Sequence, residues 1–236
     1  MSRLAVDIDP IAVMRNVFST DIPDPAHILV LAELGGAESI ICYLRDDLYT
    51  VNERDVRIMC ELAKTHMNVR INVDEENIRK LLKIKPNMVT FVSPGSAATY
   101  APQPLNLENY TDSLSNYVAD LRANNILTSV FIEPNINDIK LAGKLEFDYI
   151  ELCTFQYAHA EDLDTELAEL ENIQSLILAA NRLGMGANVS GGLNQDNIRE
   201  ISKITYLDDI IIALPIFVKA LSIGIEQAVR DFISII

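Results

Sequence analysis

Three consecutive pieces of the chain decide its architecture: Ser39-Ile-Ile-Cys-Tyr-Leu44, then Asn52-Glu-Arg-Asp-Val-Arg-Ile58, then Met67-Asn-Val-Arg-Ile-Asn-Val73. The first is a short, β-branched, nearly continuous apolar run, the form of a strand covered on both faces. The second opens a helical pattern over Glu53 to Lys64, with Asn52 placed to cap its free N–H groups and Asp55 in a capping-box-like position. The third returns to strand periodicity, with Met67, Val69, Ile71 and Val73 on one face and Asn68, Arg70 and Asn72 on the other.

The same unit repeats along the chain. Further strand-like runs occupy Leu4 to Ile8, Met88 to Val92, Thr128 to Ile132, Tyr149 to Leu152, Ala187 to Val189 and Asp209 to Ile212. Helical patterns fill Pro25 to Leu34, Glu75 to Leu82, Leu107 to Asn124, Ile136 to Ala142, Leu163 to Leu183, Gln195 to Ile201 and Ile216 to Phe232. Eight strand-then-helix units in 236 residues predict a single-domain (β/α)8 TIM barrel with few insertions. Pro23-Asp24-Pro25 supplies an N-cap and a first-turn proline, and Gly35-Gly36 and Gly184 stop helices. Ser93 to Pro104, rich in proline, predicts a long loop at the catalytic face. A doubly wound sheet is disfavoured, since Asp7-Ile8-Asp9-Pro10 stands where its glycine-rich turn belongs and Gly184-Met185-Gly186 precedes a strand.

Composition narrows the function. Thirty-four acids against 19 bases give a formal charge of -15, which disfavours nucleic acid and anionic membranes as partners. The most apolar stretch, Ile210 to Ile225, is short and interrupted by Pro215 and Lys219, so no membrane span is expected. No secretory leader is evident. Cys42, Cys60 and Cys153 share no metal or disulfide spacing, so a cytoplasmic location and no metal site are the expectation.

Alternation along the strands sends Asp7 and Asp9, Tyr43 and Arg45, Arg70, Glu151 and Cys153, and Asn188 and Ser190 toward the barrel mouth. This polar set is either a ligand site or a self-satisfied network of ion pairs, since buried charge requires a partner. No histidine falls on a strand end: His27, His66 and His159 read as surface or loop residues.

The chain resembles the pyridoxine 5'-phosphate synthase family. The likeness rests on Asp7 to Asn16, Asp21 to Pro25, Tyr43 to Asp47, Asn52 to Ile58, Asn68 to Glu76, Tyr149 to Leu152 and Asn188 to Leu193, in family order from near residue 4 to about 230. The resemblance implies a (β/α)8 homo-oligomer that condenses 1-deoxy-D-xylulose 5-phosphate with 3-amino-2-oxopropyl phosphate, without metal or organic cofactor. It also exposes departures. The family's histidine on strand two is Tyr43 here, its strand-three glutamate is Arg70, and its histidine after strand seven is Gly191. Its Asn-Ile-Asp-His after strand one is Asp7-Ile8-Asp9-Pro10. Its further arginine and histidine are Phe18 and Thr50, and its Gly-His after strand eight is Ala213-Leu214.

Asp9, Arg45, Glu151 and Gly192 still match. Neither tyrosine nor arginine takes over a base's role at neutral pH without large perturbation. The expectation is therefore a divergent member, non-catalytic for the family reaction or re-purposed, with no confidently assigned catalytic residue. Ligand contacts are expected from Asp7, Asp9, Arg45, Glu151, Gly191 and Gly192, and the partner is at most a weakly held phosphorylated small molecule. Two enzyme readings stand beside it. One is an active synthase with a rebuilt site. The other is a different reaction on a phosphorylated molecule, with Asp9, Glu151 and Tyr43 as acid–base groups and Arg45 and Arg70 as anion clamps.

Overall fold

The computed structural model describes residues 2–45, 47, 49–94 and 101–236. It is a closed parallel barrel in which the strands neighbour one another in chain order, from β1 to β8. The strands are β1 (Arg3–Asp7), β2 (Ser39–Tyr43), β3 (His66–Ile71), β4 (Met88–Phe91), β5 (Leu127–Ile132), β6 (Tyr149–Cys153), β7 (Gly186–Ser190) and β8 (Asp209–Ile212). Pairing of Ala5 with Ile211 and of Asp7 with Ile41 closes the ring around β1.

Helices α1 (Asp9–Val17) and α2 (Pro25–Gly35) follow β1, α3 (Glu53–Leu62) follows β2, and α4 (Glu75–Ile84) follows β3. A 3-10 turn, Leu107–Tyr110, precedes α5 (Thr111–Ala123), and α6 (Ile136–Lys144) follows β5. Helices α7 (Phe155–Ala158) and α8 (Leu163–Arg182) follow β6, α9 (Ile198–Ile201) follows β7, and α10 (Leu214–Ile223) and α11 (Ile225–Ile233) complete the ring. Among the described residues no helix is long and apolar enough to cross a membrane.

Two cores result from the period-two alternation. Outward strand residues such as Val6, Ile40, Val69 and Val189 join Leu29, Val56, Met59 and Val229 of the helices in one apolar layer. Inward residues form separate clusters: Ala5, Ile41 and Ile211 at the base of the barrel, and Tyr43, Val92, Phe131 and Cys153 higher up.

Local signals act as their chemistry requires. Asp24 accepts from the Ala26 N–H, and Asn52 and Asp55 form a reciprocal capping box at α3. Asp55 also receives both guanidinium nitrogens of Arg15 at 2.9 and 2.7 Å, which ties α1 to α3.

Three boundaries differ from the sequence pattern. A helix, α1, follows β1 where that pattern places none, and Asp9-Pro10 opens it because proline is tolerated in the first turn, where its missing N–H is not needed. The Ile216 to Phe232 pattern is two helices broken at Gly224, whose φ of +80° suits glycine and stops α10. Only Ile198 to Ile201 of the pattern from Gln195 is helical.

Gly35 marks a contact too close for any side chain. A Cβ there would lie 2.7 Å from the Glu226 carbonyl oxygen and 2.8 Å from Val229 Cβ, both on α11. Gly35→Ala is therefore expected to force α2 and α11 apart and to lower unfolding free energy by about 1–3 kcal/mol, as overpacking does. Urea denaturation measures it, and an unchanged midpoint would contradict the packing described.

Candidate site at the barrel mouth

The centre of the barrel is an almost fully buried ion network. Arg70, on β3 and 1% exposed, gives Nη1 to Asp7 Oδ2 and Nη2 to Glu151 Oε1, each at 2.6 Å. Ser190 on β7 also donates to Glu151 Oε1. The Asp9 N–H donates to Asp7 Oδ1 at 3.0 Å, and the Tyr43 N–H donates to Asp9 Oδ1 at 2.9 Å. One chain of ion pairs and hydrogen bonds thus joins β7, β6, β3, β1, the start of α1 and β2. Strand alternation explains the convergence: Asp7, Arg70, Glu151 and Ser190 each sit at an inward position near a C-terminal strand end.

The electrostatics follow from burial. Desolvation alone would lower the Arg70 pKa, but Glu151 and Asp7 outweigh it and hold the guanidinium charged more firmly than usual. Burial, reinforced by the Asp7 charge, drives the Asp9 carboxyl well above the ordinary carboxylate range. Asp9 Oδ2, Arg70 Nε and Glu151 Oε2 have no hydrogen-bond partner among the described residues.

Above the network lies a cavity of about 530 Å³. Its floor includes Asp7, Arg70 and Ser190, and its walls include Phe131, Phe155, Leu193, Leu214 and Pro215. Gly191 and Gly192 line it, as do Ala101 to Pro104 from the loop after β4, whose residues 95–100 lie outside the described residues. Gly192 is confined to glycine twice over: φ is +73°, and a Cβ would lie 2.7 Å from Ala158 and 2.8 Å from the His159 ring. Among the described residues no group of His, Cys, Asp and Glu is arranged to hold a metal ion.

The residues singled out from the sequence divide into three places. Asp7, Gly191 and Gly192 line the cavity. Asp9 and Glu151 are wholly buried beneath it. Arg45 is 4% exposed, pairs with Asp47 at 2.6 Å, and lies over the Tyr43 and Tyr49 rings beside a different depression that Asn52 and Arg54 also line. Tyr43 is an interior residue whose hydroxyl donates to Asn72 Oδ1.

Cavity residues that strand alternation did not bring forward are Glu133, Gln103, Phe155 and Gln156. Gln103, Phe155 and Gln156 lie on a loop and a short helix, where no period points a side chain anywhere, whereas Glu133, two residues past the inward Phe131 of β5, could have been found by extending the alternation one residue beyond the strand. Partial desolvation, with Asp138 and Glu169 nearby, raises the pKa of the exposed Glu133 carboxyl, and burial pushes the Cys153 thiol up to about 11, so this mouth cysteine remains a neutral thiol at pH 7.

Two predictions test the network. Arg70→Ala should cost on the order of 3–5 kcal/mol, because it strands Asp7 and Glu151 without a counter-charge, and chemical denaturation reads that loss. For Asp9 the raised folded pKa favours the neutral acid. Its contribution is fully present below the unfolded carboxylate value and is lost as pH rises through the folded value. Asp9→Asn should therefore gain in Tm over the parent as pH is raised from 4 to 8. A gain that shrinks over that range would contradict the assignment.

A family model described as pyridoxal phosphate biosynthesis protein PdxJ matches residues 4–236. The pyridoxine 5'-phosphate synthase of Geotalea daltonii is 33% identical over 236 residues, which is 100% of this chain and 99% of that protein. The enzyme of the same name from a Prochlorococcus marinus strain is 36% identical over the same shares of both chains. Among solved structures, KGPDC from Streptococcus mutans superposes with a TM-score of 0.66 at 11% identity, covering 100% of this chain and 97% of that one. Thiamine phosphate pyrophosphorylase from Pyrococcus furiosus gives 0.63 at 14%, covering 99% and 94%. At those identities the structural likeness speaks for the barrel alone. Matched along its length by the family model and by relatives above 30% identity, this chain belongs to the PdxJ family of pyridoxal phosphate biosynthesis proteins.

Proposed function

We propose that this member of the family does not carry out the pyridoxine 5'-phosphate synthase reaction, and that its barrel mouth is a re-purposed, non-catalytic site. The observation that carries the reading is Arg70, fully buried and held between Asp7 and Glu151 where family resemblance places a proton-transferring glutamate. A guanidinium does not deprotonate near pH 7. The other two positions supply no substitute: the Tyr43 hydroxyl is engaged by Asn72, and Gly191 has no side chain.

His159 does not fill the gap, because it stacks on Phe155 at a centroid separation of 4.0 Å and turns Nδ1 to the Phe155 carbonyl, outside the cavity lining. A different reaction through Asp9, Glu151 and Tyr43, with Arg45 and Arg70 as anion clamps, has less support. Asp9 and Glu151 are sealed below the cavity, Arg70 is committed to two acids, and Arg45 faces elsewhere.

Phosphate binding is expected to be weak. Gly191 and Gly192 keep a backbone to which an anion could approach, but Pro215 removes a donor from the first turn of α10 and Leu214 adds bulk.

Purified protein free of host enzyme should form no pyridoxine 5'-phosphate from the two family substrates, and product well above the uncatalysed background would overturn the reading. Inorganic phosphate should leave Tm nearly unchanged at sub-millimolar concentration, whereas a rise of several degrees would mean a genuine phosphate site. Arg70→Glu should unfold or strongly destabilise the protein by packing three carboxylates together, and adding Asp7→Asn should recover much of the loss. Equal stability of the single and double variants would remove the view that these two changes compensate one another.

A further inference from the structure

The cavity has an unusual charge balance for a family of phosphate-handling proteins. Arg70 is the one basic side chain among its described lining residues, and it is neutralised twice over by Asp7 and Glu151. At 1% exposure it presents almost no surface to a ligand. With Asp7, Glu151 and Glu133 against one cation, the mouth opposes a phosphate dianion on Coulombic grounds, and the net charge of the chain adds to this.

Apart from Gln103, Gln156 and Ser190, the rest of the lining is apolar and partly flat. Phe155 is 51% exposed, with one face held against His159. Leu214, 48% exposed, and Pro215 stand where the strand-eight loop turns into α10, and Pro102 and Pro104 come from the loop after β4. Glu133 lies among these groups and has no ion-pair partner among the described residues. An apolar cavity of about 530 Å³ with a few convergent polar groups has the character of a small-molecule site.

We propose that the barrel-mouth cavity binds a planar, non-phosphorylated aromatic molecule that is neutral or carries one positive charge, its ring against Phe155 and its amine or hydroxyl at Glu133. This rests on the reading that the family reaction has been lost, and it names the class of ligand for that same site. The cation, when present, replaces water around Glu133 with a charge-assisted hydrogen bond, and the ring covers apolar surface. No bond is made or broken.

A charge series on one ring tests the idea: benzylamine, benzyl alcohol, benzoate and phenyl phosphate, each titrated into the full chain with Tm and ligand-observed NMR as readouts. Benzylamine should bind best, benzyl alcohol next, and the two anions not measurably. Glu133→Gln should weaken benzylamine by about five-fold, the size of one partly exposed ion pair, while sparing benzyl alcohol. Phe155→Ala should weaken both. Leu214→Lys adds a cation at an exposed position, so the fold is spared and phenyl phosphate should gain affinity.

Tighter binding of either anion in the parent overturns the proposal. So does failure of all four to bind, or indifference of every ligand to Phe155→Ala and Glu133→Gln. The synthase assay separates the two readings. Product formation overturns the non-catalytic reading whatever the fragments do, whereas an absent amine preference without product overturns this inference alone.

Discussion

The Arg70 guanidinium, clasped by Asp7 on one side and Glu151 on the other, is the interaction on which the rest of the molecule depends. The three side chains come from β3, β1 and β6, which are not adjacent in the barrel, so the bonds cross its interior. Without the arginine two carboxylates would face one another in a dry core. Without either acid a buried cation would be left half-compensated. Each change is tolerable only in the presence of the others.

That dependence links fold to function. A barrel mouth that works by proton transfer needs groups free to change protonation and open to substrate. Here the central charges are committed to each other, and the network continues through the Asp9 N–H and the Tyr43 N–H into the backbone of two further elements. The same bonds that complete the interior pair Arg70, Asp7 and Glu151 with one another. Besides the floor of Asp7, Arg70 and Ser190, the cavity is faced by apolar wall, glycine backbone, Gln103, Gln156 and the carboxylate of Glu133.

Helices and loops serve this arrangement from outside. The Arg15 and Asp55 pair, with the capping box of Asn52 and Asp55, fixes α1 against α3 just beyond the network. Gly35 lets α11 close on α2 at a separation no side chain would permit. Gly192, with positive φ and His159 pressed against it, sets the curve of the loop after β7 at the cavity edge.

Much of this was legible in the sequence because it depends on short-range periodicity. Runs such as Ser39 to Leu44 and Met67 to Val73 declare strands buried on both faces, and the alternation Asn68, Arg70, Asn72 declares which side chains turn inward. That Tyr43, Arg70 and Gly191 offer no base with an ordinary pKa near neutrality could likewise be read from residue types alone. Three things could not.

The partners of Arg70 depend on which inward groups meet across the barrel, and period two gives a direction without a distance. Arg45 shares the inward parity of Tyr43, yet the chain beyond β2 carries it to Asp47 and the tyrosine rings instead of the cavity. Gln103, Phe155 and Gln156 enter the mouth from a loop and a one-turn helix, where no repeat fixes orientation and only the packing of the surrounding chain decides where a side chain points. Sequence determined the barrel and which residue types stand at its inward positions, because both follow from local residue identity. Tertiary structure alone decided which charges neutralise which, because that depends on distances set by closure of the sheet.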